Sequence, residues 1–114
     1  MDAFSAILMT KALDGLYVRA TVTAQNVANS STPNYRPLRV TFEDALAASA
    51  RRGAEAAQAV QPHTERDPTH ADDPGLRLDL ELATASQTSA RYAALIDILG
   101  RELSLQSLAT TGQG

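Results

Sequence analysis

The stretch Ala24-Gln25-Asn26-Val27-Ala28-Asn29-Ser30-Ser31-Thr32-Pro33-Asn34-Tyr35 decides how this chain folds. An apolar helical pattern runs into it, Asn26 and Asn29 sit three residues apart, and Thr32-Pro33 closes it. At that spacing the two asparagines share one helical face. Asn29 is suited to the left-handed conformation that ends a helix, which Ser or Thr adopts less readily. Ser30, Ser31 and Thr32 can bond the backbone groups orphaned at a helix end. Pro33 drives Thr32 toward extended geometry, and Pro37 does the same to Arg36. Leu38, Val40 and Phe42 then alternate with Arg39 and Thr41, the pattern of a half-buried extended segment over 30–42. A long helix therefore turns sharply into a short strand-like stretch. Two readings of the polar residues stand side by side. They are a well-made helix stop, or they form a polar knot in which Asn26, Asn29 and Tyr35 fix the turn between subunits.

Working upstream, the pattern predicts a helix over 3–29. Met9, Leu13, Leu16, Ala20, Thr23 and Val27 recur at alternating spacings of four and three, an a/d seam. Phe4, Ile7, Leu8 and Ala12 widen its apolar face. Such a helix is about 40 Å long and marginal in water by itself, so it needs a partner. Working downstream, 78–109 predicts a second long helix. Leu78, Leu82, Ala85, Ser89, Tyr92, Ile96, Leu99 and Leu103 repeat the seam, with Leu95, Ile98, Leu105 and Leu108 on the flank. Asp97 and Arg101 form an acid-before-base i,i+4 pair. Gly15 and Gly100 interrupt the helices, either as tolerated defects or as points of close helix contact.

The middle, 43–77, differs from both. Glu43 to Val60 is alanine-rich and able to form a few helical turns. Gln61 to Gly75 holds Pro62, Pro68 and Pro74 with no apolar period, which predicts a loop or disordered linker. The expected fold is mainly α: one unit in which two long terminal helices form an antiparallel coiled-coil-like pair, with a short extended segment and a flexible polar middle. Two helices bury a single seam, so their broad flanks call for further neighbours, most simply copies of the chain.

Composition agrees with thin helix-on-helix packing. Of the 114 residues 44% are hydrophobic, yet aromatics make up 4% and tryptophan is absent. The net charge of −3 concentrates its acids in 43–75, and no segment is basic enough for nucleic acid. With no cysteine, disulfides, thiolate zinc sites and thiol nucleophiles are excluded. No apolar run reaches the ~18–20 residues that span a bilayer, and the stretch from Met1 to Lys11 lacks the pattern of a cleaved secretory signal.

Catalytic and metal constellations are weak. His63, Glu65, Asp67, His70, Asp72 and Asp73 are ligand types, but their proline-rich setting offers no rigid support, and a solvated loop is the better reading. Both histidines lie in that loop, leaving no nucleophile–base pair for the helices. Asp79 and Glu81 favour the positive end of a helix dipole. No catalytic, cofactor-binding or metal residue is assigned, and neither a cofactor nor a small-molecule substrate is expected.

The segment Asn26-Val27-Ala28-Asn29-Ser30-Ser31-Thr32-Pro33-Asn34-Tyr35 resembles the N-terminal signature of the flagellar rod and hook protein family, Asn-Ile/Leu-Ala-Asn, two variable residues, then Thr-Pro-Gly-Tyr. Asn34 replaces the usual glycine, a mild departure because asparagine tolerates positive φ. Arg36 to Glu43, Leu80-Glu81, Arg91-Tyr92 and Leu95 to Leu99 are similar to the short proximal-rod members. The resemblance covers about 4–43 and 78–108. It implies a non-enzymatic structural subunit of the basal-body rod, built through its terminal helices and needed for motility. It implies Asn26, Asn29, Thr32, Pro33 and Tyr35 as the assembly motif. Leu13, Leu16, Ala20, Val27, Leu82, Tyr92, Ile96, Leu99 and Leu103 are the expected seam. The implied partners are copies of itself, other rod proteins, the adaptor FliE, the membrane ring and the flagellar type III export apparatus. The implied location is the rod across the periplasm, reached without a cleaved signal. A soluble helical adaptor or chaperone that binds a partner helix is the alternative; it accounts for the helices but not for the Asn-Thr-Pro turn.

Overall fold

A computed structural model of the chain describes residues 1–68 and 73–112. The elements in chain order are α1 (Ala3–Ala28), β1 (Leu38–Thr41), α2 (Glu43–Ala50), α3 (Ala54–Gln58), β2 (His63–Arg66) and α4 (Pro74–Thr110). The two long terminal helices and the short extended segment stand where the sequence puts them. Asp2 caps α1, its carboxylate accepting from the Ser5 amide at 2.7 Å.

The middle is more ordered than its composition suggests. Residues His63–Arg66, inside the stretch expected as a loop, pair antiparallel with β1 in the register Leu38↔Arg66 to Thr41↔His63. His63-Thr64-Glu65-Arg66 carries no apolar alternation. The strand exists because β1 presents unpaired backbone donors and acceptors that another segment must satisfy. Arg39 and Glu65 reinforce the ladder across the pair at 2.7 Å. Helix α4 also starts earlier than expected. Asp73 accepts from the Gly75 amide at 2.8 Å and Pro74 opens the first turn. Proline there is a helix initiator, since its missing N–H would be unpaired anyway.

The buried cluster is Leu16, Val22, Val40, Phe42, Leu46 and Ala57. It lies between α1 and the folded middle, not between α1 and α4. α1 is thus sandwiched, with β1, α2 and α3 on one side and α4 on another. The molecule measures 60 × 29 × 14 Å, and no large side chain is fully buried among the described residues. A shape this thin has too much surface for its volume to hide its apolar content.

The covered row of α4 differs from the expected seam in a regular way. Leu78, Ala85, Tyr92 and Leu99 are half-buried as expected, but the alternate positions slip by one residue. Glu81, Thr88, Leu95 and Glu102 face α1, while Leu82, Ser89, Ile96 and Leu103 face solvent. Leu82 is 50%, Ile96 48% and Leu103 65% exposed, so these three are not part of the intramolecular seam. Polar pegs set this rotation. Arg77 reaches the turn after α1, Glu81 accepts from Asn26 in the last turn of α1, Arg91 reaches Glu43, and Glu102 meets the chain's amino group. All lie on the same side of α4, and holding them turns the leucine row outward.

Candidate functional site

The residues of the polar turn converge on one buried amide. Asn26, two residues from the end of α1, is only 2% exposed. Its Nδ2 donates to the Leu38 carbonyl at 2.8 Å and to Glu81 Oε1 at 3.1 Å. Its Oδ1 accepts from the Tyr35 hydroxyl at 2.9 Å and from the Leu38 amide at 3.0 Å. Both donors and both acceptor positions of the amide are therefore used. One side chain ties together α1, the turn, the start of β1 and α4. Asn26 and Tyr35 are thus bonded to each other within one chain.

Asn29 plays a separate and local part. Its Nδ2 donates back to the Gln25 carbonyl at 2.9 Å, and its Oδ1 accepts from Thr32 Oγ1 at 3.1 Å. Its backbone has φ −107° and ψ 13°, so it is not the left-handed residue the sequence suggests. That role falls to Asn34, at φ 63°. Asn34 occupies the position where glycine is usual in the resembling signature, and asparagine is the non-glycine residue that takes this region most readily. Thr32 closes the turn by accepting from the Tyr35 amide at 3.2 Å on its carbonyl. Pro33 is exposed at the tip. Together Thr32, Pro33, Asn34, Tyr35, Pro74 and Arg77 line an open polar cleft of about 530 Å³.

Arg77 holds the turn from the opposite side. It donates to the Tyr35 carbonyl at 3.1 Å and to the Ser30 carbonyl at 2.6 Å, while its Nε is buried without a hydrogen-bond partner. Periodicity contains no signal for this residue, because its partners lie 42 and 47 positions away. Glu81 is the second contributor from α4. Burial raises its pKa, the bond from Asn26 opposes that rise, and the charge of Asp67 adds to it. The Tyr35 hydroxyl is also pushed up, first by burial and then by the Glu81 charge.

A second constellation lies along α1. Arg19 grips Glu43 with two parallel bonds of 2.7 Å and donates to the Val40 carbonyl at 2.8 Å. Its guanidinium lies 4.9 Å from the centre of the Phe42 ring. The Arg19 bonds lower the Glu43 pKa to about 2 against the opposing effect of burial. This pair fastens the start of α2 to α1, a planar fork-on-fork arrangement that lysine could not reproduce.

The remaining seam residues divide by helix. Leu16 is 3% exposed and belongs to the core. Leu13 and Val27 are half-buried, and Ala20 is exposed. Ala20 and Val27 border an apolar groove of about 490 Å³ between α1 and α4, shared with Tyr17, Ala24, Ala85 and Tyr92. Among the described residues no three His, Asp or Glu side chains are grouped to hold a metal; His70 and Asp72 lie outside those residues. No described helix is long and apolar enough to cross a membrane. The arrangement is a hydrogen-bonded corner plus rows of exposed apolar side chains. No protein-family model matches the chain, and no curated protein matches it.

Proposed function

We propose that this chain is a structural subunit of the bacterial flagellar rod, of the FlgB type at the proximal end. The observation that carries the proposal is the outward apolar surface of α4. Leu82, Ile96 and Leu103 line one side of the helix, and Leu80, Ile98 and Leu105 another, each about half exposed or more. The two rows lie on opposite flanks of α4 and offer exposed apolar side chains to neighbours on both sides. At ~25 cal/mol per Å² their burial supplies a driving force for assembly that the isolated chain leaves unused. The Asn26–Tyr35 corner supports the same reading. It rigidly sets the angle between the terminal helices and the folded middle, as a repeating subunit requires.

In this role the chain performs no catalysis. Its partners are copies of itself and neighbouring rod proteins, with FliE and the membrane ring at the base. It travels through the flagellar type III apparatus. The apolar groove between α1 and α4 also suits the alternative, a helical adaptor holding one partner helix. Substituting Ile96→Asp and Leu103→Asp together separates the two. The expected outcome is an intact helical fold with loss of rods and motility. Normal basal bodies in that strain, or fixed-stoichiometry purification with one soluble partner, would overturn the rod assignment.

A further inference from the structure

We propose that the overhanging end of α4 from one copy seats in the α1–α4 groove of a neighbouring copy. This deepens the rod reading and rests on it for its biological setting. Helix α1 spans 26 residues and α4 spans 37. The chain's amino group meets Glu102, which places the start of α1 level with that residue. From 103 onward α4 therefore runs on past its partner, about 12 Å to Thr110. Every residue over 103–112 is exposed, and Leu103, Leu105 and Leu108 are at least half so. Among the described residues none covers this leucine-rich helical end.

The groove is its counterpart in chemistry. Its floor and walls include Leu16, Tyr17, Ala24, Ala85, Tyr92 and Ala93. The alanines lower the walls, so leucine side chains from another helix can enter as knobs into holes. The two surfaces also match in charge. Residues 103–114 carry no charged side chain, and neither do the segments 20–33 and 82–90 that border the groove. Elsewhere α4 carries charges at Arg77, Asp79, Glu81, Arg91, Asp97, Arg101 and Glu102. The neutral end can enter the neutral groove without stranding a buried charge, a cost that would otherwise outweigh the apolar gain. The two surfaces cannot meet within one chain. Both are carried by the rigid helix α4, with Ala85–Tyr92 and Leu103–Leu108 separated by roughly 20 Å along its axis.

The native chain has no cysteine, so introduced ones report cleanly. Leu105→Cys and Ala24→Cys fall at exposed positions and leave the core untouched. The purified variants are mixed and oxidised over a range of concentrations, with sedimentation in parallel. The expected result is a disulfide-linked heterodimer that forms on the order of tenfold faster than either variant links to itself, reflecting a raised local concentration. Ala24→Arg, which charges the groove, should suppress both the cross-link partner's binding and oligomerisation. Oligomers that form without the heterodimer overturn the proposal and leave the rod reading intact. A chain that stays monomeric at all concentrations also overturns it. Heterodimer formation by a chain absent from basal bodies supports the contact and removes its flagellar setting.

Discussion

The ring of Phe42 lies against the backbone of Gly15 so closely that a methyl group there would fall inside the ring's contact surface. The interrupted helix is thus a docking point for the segment after β1, not for the other long helix. Gly15→Ala should gain about 1 kcal/mol of helix propensity but incur about 1–3 kcal/mol of overpacking. The net expectation is a lower melting temperature by circular dichroism. Phe42→Leu in the same chain should soften the penalty, a coupling that a double-mutant cycle reads directly.

Gly100 provides the opposite case. Nothing lies within 4 Å of the place where its Cβ would be, and its φ is not in the left-handed region. Gly100→Ala should raise stability by about 1 kcal/mol through helix propensity alone. An unchanged or lower melting temperature would mean that the site is filled in a way the monomer does not explain.

Asn26 tests the polar corner. Asn26→Asp removes both Nδ2 donors and sets a carboxylate beside Glu81. Stranding the Leu38 carbonyl and burying an unpaired charge should cost about 3 kcal/mol or more. Tyr35→Phe loses a single bond to Asn26 and should cost about 1 kcal/mol. Urea denaturation of both variants checks the order; equal costs would remove Asn26 from its central position.

The two glutamates give opposite pH dependences. Glu43 is held at about 2 in the folded chain, below its ordinary value of 4.5. Its contribution is complete above 4.5 and is lost as pH falls from there toward 2. Glu43→Gln should flatten the acid limb of a stability–pH curve. The size of the effect stays modest because the Glu43 side chain is 46% exposed and solvent screens the pair.

Glu81 has a raised pKa, so the folded state favours its protonated form. The ionised carboxylate therefore costs stability, and that cost appears as pH rises through the ordinary value of 4.5 toward the raised one. Glu81→Gln keeps an acceptor for Asn26 and should be at least as stable as the parent at neutral pH. Loss of stability at neutral pH in that variant would show that the charge itself is needed.

Much of this architecture was legible along the chain because it depends on local rules. Helical periodicity marks α1 and α4, and the Thr32-Pro33 punctuation marks the corner. The tolerance of Asn34 for positive φ follows from its side chain. The alternation of Leu38, Val40 and Phe42 marks β1. These are properties of residues a few positions apart, which is the range over which sequence pattern carries information.

What the chain pattern left undecided was set by contacts between distant segments. A seven-residue repeat names an apolar stripe but not how far the helix rotates to present it. Arg77, Glu81 and Glu102 made that choice by bonding across α1 and its turn, and they turned Leu82, Ile96 and Leu103 outward. Strand β2 likewise owes its existence to the open edge of β1 rather than to its own residues. The long helices, the corner and the short strand follow from residue pattern, because propensity and turn chemistry act locally. Tertiary structure alone decided which faces are hidden and which are offered to neighbours, because that depends on where each unpaired polar group finds its partner.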